Sequence, residues 1–285
     1  MLARLFAYLQ FVLPKFWLTA IVYHIARIRH VGSKDFLITR FVRLYDVETD
    51  EIKLTLPDDF ATFNEFFIRE LDAGARPIAP DARAIVSPAD GKVSQAGRLR
   101  GNAILQAKGI EYSLDDLLAT NLDDARAYTD GHFATIYLAP YNYHRVHAPM
   151  AGELVSAIYV PGDLFSVNTA TAANIRGLFR RNERLVLNFH TAHGPLAVIL
   201  VGALNVGSIS TPWSGELRPR HSGVVEPVDL GAEPITIAKG ELLGWFNMGS
   251  TVILLLPEGA GNWHANLTAG STVSMGEAIG ELANT

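Results

Sequence analysis

The chain has 285 residues, 49% of them hydrophobic, enough for one large core or two small ones. It contains no cysteine, which excludes disulfides, zinc-thiolate centres and thiol nucleophiles and permits a reducing cytoplasmic setting. The net charge of -5 is polarised: residues 1–43 hold seven Lys or Arg (Arg4, Lys15, Arg27, Arg29, Lys34, Arg40, Arg43) against Asp35 alone, so this segment is +6 and the remainder is -11.

The basic N-terminal segment is rich in Leu, Phe, Trp, Ile and Val and carries no nucleic-acid motif, which makes lipid the better partner. Its uncharged runs, Leu5 to Leu13 and Phe16 to Ile25, are split by Pro14 and Lys15. Each is shorter than the roughly 20 residues a spanning helix needs. No small-residue cleavage site follows the apolar part, so the segment reads as retained. At 100° per residue Lys15, Thr19, Arg27 and His30 fall within one third of the circumference, with most of Phe16, Trp17, Leu18, Ile21 and Ile25 elsewhere. This is the pattern of a helix lying in a membrane interface, where the basic excess suits anionic lipid. A helical hairpin packed on the protein's own body or on a second subunit is the other reading.

Further along, Thr62-Phe63-Asn64-Glu65 followed by Phe66, Phe67 and Leu71 is a capping box opening an amphipathic helix, and Ser113 to Asp116 repeats the signature for a helix near 113 to 120. Val/Ile-rich runs bounded by Gly, Pro, Asn and Asp predict strands at Ala84 to Ser87, Gly91 to Gln95, Ala134 to Leu138, Leu154 to Val160, Leu185 to His190, Leu196 to Val206, Ile235 to Ala238 and Thr251 to Leu256. Helices do not alternate with these strands, which disfavours a doubly wound parallel sheet. The expected class is α+β: N-terminal amphipathic helices over residues 1–60, then one β-rich domain over 61–285, a mixed or antiparallel barrel or sandwich.

Three segments could carry chemistry. Ser87-Pro88-Ala89-Asp90-Gly91-Lys92 contains an Asp-Gly pair that by itself is a hairpin turn. Tyr143-His144-Arg145-Val146-His147-Ala148-Pro149 sets two His three apart between prolines, on a strand end or loop where the rings project differently. Acid-base work, structural hydrogen bonding and metal ligation are all open to this pair, but no second ligand pair with metal-site spacing is present and no metal is expected. Gly244 to Thr251 ends in Gly249-Ser250-Thr251 at a strand entrance. It is a turn, or the site of an intramolecular N-to-O acyl shift, for which glycine leaves its carbonyl open to attack by the next hydroxyl.

Together and in this order, the three segments resemble the phosphatidylserine decarboxylase family, whose members carry an Asp-Gly-Lys turn, a Tyr-His-Arg-x-His-x-Pro stretch and a Gly-Ser-Thr processing site. The similarity extends to Phe66-Phe67-Ile68-Arg69-Glu70-Leu71, to Leu164-Phe165-Ser166-Val167-Asn168 and to Lys239 through Phe246, covering residues 60 to 280. Two departures are Met248, where members often have Leu, and Leu242, where they have an acid.

The resemblance implies a membrane-bound lyase that makes its own cofactor. Asp90 would orient His147, His147 would deprotonate Ser250, and Ser250 would attack the Gly249 carbonyl to give an ester. β-Elimination would then release a β chain, 1–249, and leave a dehydroalanine at position 250, whose hydrolysis with loss of ammonia would give the α chain, 250–285, a pyruvoyl group at its start. That carbonyl withdraws the electrons left by departing CO2, as pyridoxal phosphate does elsewhere. His144 is the implied donor of the proton that returns to the substrate, with His147 as second choice. The implied partners are phosphatidylserine, the two chains of one precursor and a homodimer of the αβ unit, at the cytoplasmic face of the cell membrane as a peripheral enzyme. Two rivals stand beside this. A membrane-associated serine hydrolase would use Asp90, His147 and an intact Ser250, in one known chain order for such triads. A membrane-anchored scaffold would use the same segments only as turns and would never be cut.

Overall fold

The computed structural model describes residues 2–119, 125–220 and 223–284. Three helices open the chain, α1 (Leu2–Leu9), α2 (Lys15–Ala26) and α3 (Val31–Tyr45). Pro14, which has no N–H to continue α1, stands at the start of α2. α2 is amphipathic as its sequence indicates, but its polar stripe faces the protein. Lys15 and Thr19 are buried, whereas Trp17 is 76% and Ile21 53% exposed. The Lys15 ammonium donates to the Gln10 carbonyl at 2.8 Å, pairs with Asp163 at 3.1 Å and lies 4.2 Å from the Phe165 ring centre. Thr19 Oγ1 accepts from the Asn205 N–H at 3.1 Å. Inward polar contacts therefore leave the apolar side of α1 and α2, including Leu5, Trp17 and Ile25, turned outward, together with Val12 between them.

α4 (Phe63–Phe67) follows its capping box, with Thr62 Oγ1 accepting from the Glu65 N–H at 3.1 Å. Phe63, Phe66 and Phe67 of α4 meet Phe41 of α3 at ring separations of 5.1, 6.1 and 5.9 Å, an apolar cluster against which Met248 also packs. α5 (Leu114–Leu118) is capped by Ser113 as expected; residue 120, the end of its anticipated range, lies outside the described residues.

Every strand pairing between named strands is antiparallel, and the sheets do not close into a barrel. The main sheet has nine strands: β2 (Gly91–Arg98), β5 (His132–Tyr137), β7 (Gly152–Val160), β8 (Arg184–Thr191), β9 (Gly194–Val201), β12 (Glu226–Pro227), β13 (Ile235–Ile237), β15 (Thr251–Leu256) and β17 (Thr272–Val273). Their order is β12-β7-β8-β9-β15-β5-β2-β17, with β13 also on β7. A second sheet, β11-β10-β14-β6, is built from β6 (Arg145–His147), β10 (Ile209–Thr211), β11 (Gly215–Leu217) and β14 (Leu242–Phe246). A third joins β1 (Ala84–Val86), β18 (Ala278–Leu282) and β16 (Gly261–Trp263), and β3 (Ala103–Ala107) pairs with β4 (Ile110–Ser113). Two short helices, α6 (Thr169–Ala172) and α7 (Leu178–Arg181), lie between β7 and β8.

β15 is central. It is buried along its whole length and pairs with β5 on one edge and β9 on the other. Its continuous apolar run, rather than an alternation, is what a strand covered on both faces requires.

One acid lies in this core. Glu183 is fully buried, accepts from Tyr159 Oη at 2.8 Å, and has no partner for Oε1. Its carboxyl lies against Gly202, where a Cβ would come within 2.6 Å of Oε1. Burial raises its pKa to about 7, above the usual carboxylate range. A raised carboxyl binds more protons folded than unfolded, so its contribution is full below pH 4.5 and is lost as pH rises to 7. In a Ser250→Ala background, Glu183→Gln is expected to remove this pH dependence and to gain roughly 3 kcal/mol at pH 8 relative to its parent, read by urea denaturation. Parallel pH profiles of the two proteins would count against this assignment.

Candidate active site

Gly249 and Ser250 form the step between β14 and β15. The chain is held on both sides of this bond. The Asn247 side chain donates to Ser208 Oγ at 2.7 Å and Ser210 Oγ at 3.1 Å, while its carbonyl accepts from Asn64 Nδ2 at 3.0 Å. On the far side, the Ser250 carbonyl accepts from the Leu138 N–H at 2.8 Å. Ser250 itself is fully buried, with its hydroxyl in a short hydrogen bond to the Val201 carbonyl.

His144 is brought to this bond by the second sheet. β14 pairs with β6 at Trp245 opposite Arg145, and the Phe246 N–H donates to the His144 carbonyl at 3.1 Å. A Cβ on Gly249 would lie 3.3 Å from His144 Nε2, so a residue without one lets the imidazole rest against the backbone. The ring is wholly buried and sits 4.2 Å from the Phe67 ring centre. Its Nδ1 lies 2.8 Å from the Asn142 carbonyl, which can only accept, so Nδ1 carries the proton. Nε2 is therefore bare, and it has no hydrogen-bond partner among the described residues. Burial first, then the Arg69 charge, push the His144 pKa down to about 3, so the ring is neutral at ordinary pH.

Asp90 and His147 form an adjoining group. The His147 N–H donates to the Pro88 carbonyl at 2.7 Å and the Val86 N–H to the Pro149 carbonyl at 3.0 Å, lacing the Asp-Gly turn to β6. Asp90 takes a two-pronged contact from Arg76, Nε to Oδ1 at 2.9 Å and Nη2 to Oδ2 at 2.8 Å, and the Met275 N–H at 2.8 Å. His147 donates from Nδ1 to the Gly240 carbonyl at 2.9 Å and accepts at Nε2 from Tyr143 Oη at 3.1 Å. Burial lowers its pKa, partly offset by the Gly240 carbonyl.

The structure thus sets His144, rather than His147, against Gly249. The expected chain from Asp90 through His147 to Ser250 is not hydrogen-bonded in this state, because Arg76 saturates the acid and Tyr143 occupies His147 Nε2. Sequence reasoning singled out neither Arg76 nor Asn64, Asn247 and Arg69. Arg76 lies in a polar loop without periodicity. Asn64 and Arg69 flank the capping box and the Phe66 to Leu71 stretch, which carried a signal that was not assigned to single residues.

A family model described as phosphatidylserine decarboxylase matches residues 63–281, and a second, described as PSD, matches residues 5–46. The chain is similar to the phosphatidylserine decarboxylase proenzyme of Saccharophagus degradans, at 45% identity over 98% of this chain and 97% of that protein. It is likewise similar to the proenzymes of Alcanivorax borkumensis, 46% identical over 99% and 97%, and Methylococcus capsulatus, 44% over 97% and 96%.

Proposed function

We propose that this chain, which belongs to the phosphatidylserine decarboxylase family, breaks its own Gly249–Ser250 bond and then removes CO2 from the head group of phosphatidylserine to give phosphatidylethanolamine. The observation that carries this reading is the bare, buried Nε2 of His144 against Gly249, whose carbonyl is peptide-bonded to the hydroxyl-bearing residue Ser250. The residues fit a pyruvoyl group at position 250: an orphaned, buried imidazole nitrogen lies beside Gly249, the residue joined to it. That group supplies an electron-withdrawing carbonyl next to the reacting amino acid.

The chain's own residues do the rest. The Ser250 hydroxyl must leave the Val201 carbonyl to attack Gly249, and losing its proton requires a base. His147, with Asp90 nearby to favour its charged form, serves once Tyr143 releases Nε2. The Gly249 end then departs, clearing the space that His144 Nε2 faces. From there the bare His144 Nε2 takes a proton given up by the substrate's ammonium group and returns it to the carbon that loses CO2. The two chains stay together because β15 keeps hydrogen bonds on both edges and buries Val252 through Leu256, each worth about 1.5–3 kcal/mol.

Residues 1–60 supply the membrane contact and 61–285 the chemistry. No helix among the described residues is long and apolar enough to cross a membrane, and the outward apolar side of α1 and α2 with exposed Arg4, Arg29, Arg40 and Arg43 suits an anionic surface. These features support a peripheral enzyme at the cytoplasmic face of the membrane. Trp17→Glu with Ile21→Glu is expected to lower partitioning onto phosphatidylglycerol-containing vesicles at least about tenfold in a sedimentation assay, while denaturation of the body is unchanged, since neither side chain is buried. Equal sedimentation of parent and variant would remove this surface from the account.

A serine hydrolase is not favoured, since Ser250 is inaccessible and bonded to a carbonyl rather than to a histidine. The test is direct: purified protein should resolve into two chains and release CO2 from phosphatidylserine vesicles, and a single intact chain that does so would refute the reading.

A further inference from the structure

Arg69 is 4% exposed, just beyond α4, and no carboxylate among the described residues pairs with it. Nη2 donates to the carbonyls of Tyr141 at 2.9 Å and Asn142 at 3.4 Å, while Nε and Nη1 have no partner among the described residues. Its flat face lies 5.3 Å from the Phe66 ring centre. Asp90 is the acid that acts on it, with Arg76 and Tyr143 as the other charged or titratable neighbours, but Asp90 is committed to Arg76. A buried cation without an opposing acid destabilises a fold, so this one must be explained by what it touches.

What it touches is the carbonyl that sets the state of His144. The Asn142 oxygen held by Arg69 is the same oxygen that accepts the Nδ1–H of His144. α4 bears on the reacting segment at two points: Asn64 holds the Asn247 carbonyl ahead of Gly249, and the Phe67 ring packs at a tilt against the His144 ring. We propose that Arg69 is a positioning residue for His144, fixing the 141–142 carbonyls so that the imidazole is locked with its proton on Nδ1 and with Nε2 bare toward Gly249. Its charge also opposes formation of an imidazolium, adding to the effect of burial. No other charged side chain acts on His144 to a comparable degree. The consequence for turnover rests on the reading of His144 as the group that returns the proton; the tautomer does not.

The test uses Ser250→Ala full-length precursor labelled with 15N-histidine, so the spectra stand whether or not the chain decarboxylates anything. In this parent, long-range 1H–15N correlations should show His144 as the Nδ1–H tautomer, without titration from about pH 5 to 9. Arg69→Met should mix the tautomers and bring the titration midpoint up by roughly one unit or more. Arg69→Gln keeps a donor for the carbonyls but removes the charge, so it should preserve the tautomer and raise only the midpoint. With Ser250 restored, Arg69→Met should be cut normally, lose about tenfold or more in kcat and keep its KM within about twofold. A parent His144 protonated on Nε2, or an Arg69→Met spectrum identical to the parent's, overturns the proposal. Should Arg69→Met not fold, an Arg69→Gln midpoint equal to the parent's overturns it.

Discussion

Ser250→Ala is expected to remain one chain of 31.1 kDa and to have no measurable decarboxylase activity. The change removes a single oxygen that hydrogen-bonds only to the Val201 carbonyl, within a strand entrance pinned by Asn247 and Leu138, so the fold should survive it. What disappears is the hydroxyl of the residue joined to the Gly249 carbonyl, and with it both the cut and the carbonyl that the cut leaves behind. Denaturing electrophoresis and intact mass read the first loss, and CO2 release from phosphatidylserine vesicles reads the second. Ser250→Ala with full activity would mean that the electron-withdrawing group comes from somewhere else. Ser250→Thr tests the same point more gently: it keeps a hydroxyl but crowds a buried site, so cutting should be slowed rather than abolished.

The second large effect separates the two histidines. His144→Ala is expected to be cut yet to lose about 10²- to 10⁴-fold in kcat, the range a positioned proton donor contributes. His144 Nε2 faces Gly249, the group that departs, and it therefore looks into the space the substrate would enter. His147→Ala is expected to remain uncut, because the neighbouring Asp90 favours a charge on that ring and on no other histidine near the bond. Cutting and turnover are measured on the same preparations, by mass and by CO2 release. The reverse pattern, an uncut His144→Ala beside a cut His147→Ala, would reassign the base to the imidazole that already touches the glycine. Tyr143→Phe sharpens the comparison: it frees His147 Nε2 from its present partner, so cutting should be at least as fast as in the parent.

Much of the body could be read from the chain because its strands are long apolar runs with turn residues at their ends. All eight expected strands appear, Thr251 to Leu256 with the anticipated bounds, and both capping boxes start helices. The second sheet could not be read in this way. β14 contains Gly244, which no pattern marks as strand; its place there depends on the Ser210 carbonyl passing where a Cβ would be, within 2.5 Å. β10 and β6 are three residues each and exist through their pairings, β6 with β14 and β10 with β14 and β11. The direction faced by α2 was equally hidden. Periodicity separates a polar stripe from an apolar one, but Lys15 is turned inward by Asp163 and Phe165, nearly 150 residues away in the chain.

The site shows the same division. Asp90, His144, His147 and Ser250 stand out as residue types in short ordered segments. Their partners are ordinary residues whose roles arise only from folding: Arg76 on Asp90, Tyr143 on His147, Asn64 on the strand before the cut, and Arg69 on the carbonyl that sets His144. The relay expected from the resemblance names the groups without their hydrogen bonds. In the structure those bonds hold the acid and His147 in a closed arrangement, leaving His144 as the histidine beside Gly249.

The most direct test is the N-terminal chemistry of the small fragment from freshly purified protein. If Ser250 is consumed to make a ketone, the fragment spanning 250–285 will be lighter by one ammonia than the plain serine peptide, blocked to Edman degradation and able to form one hydrazone. A fragment that begins with a free, unmodified serine, or an uncut chain that still releases CO2 from phosphatidylserine, would contradict the account.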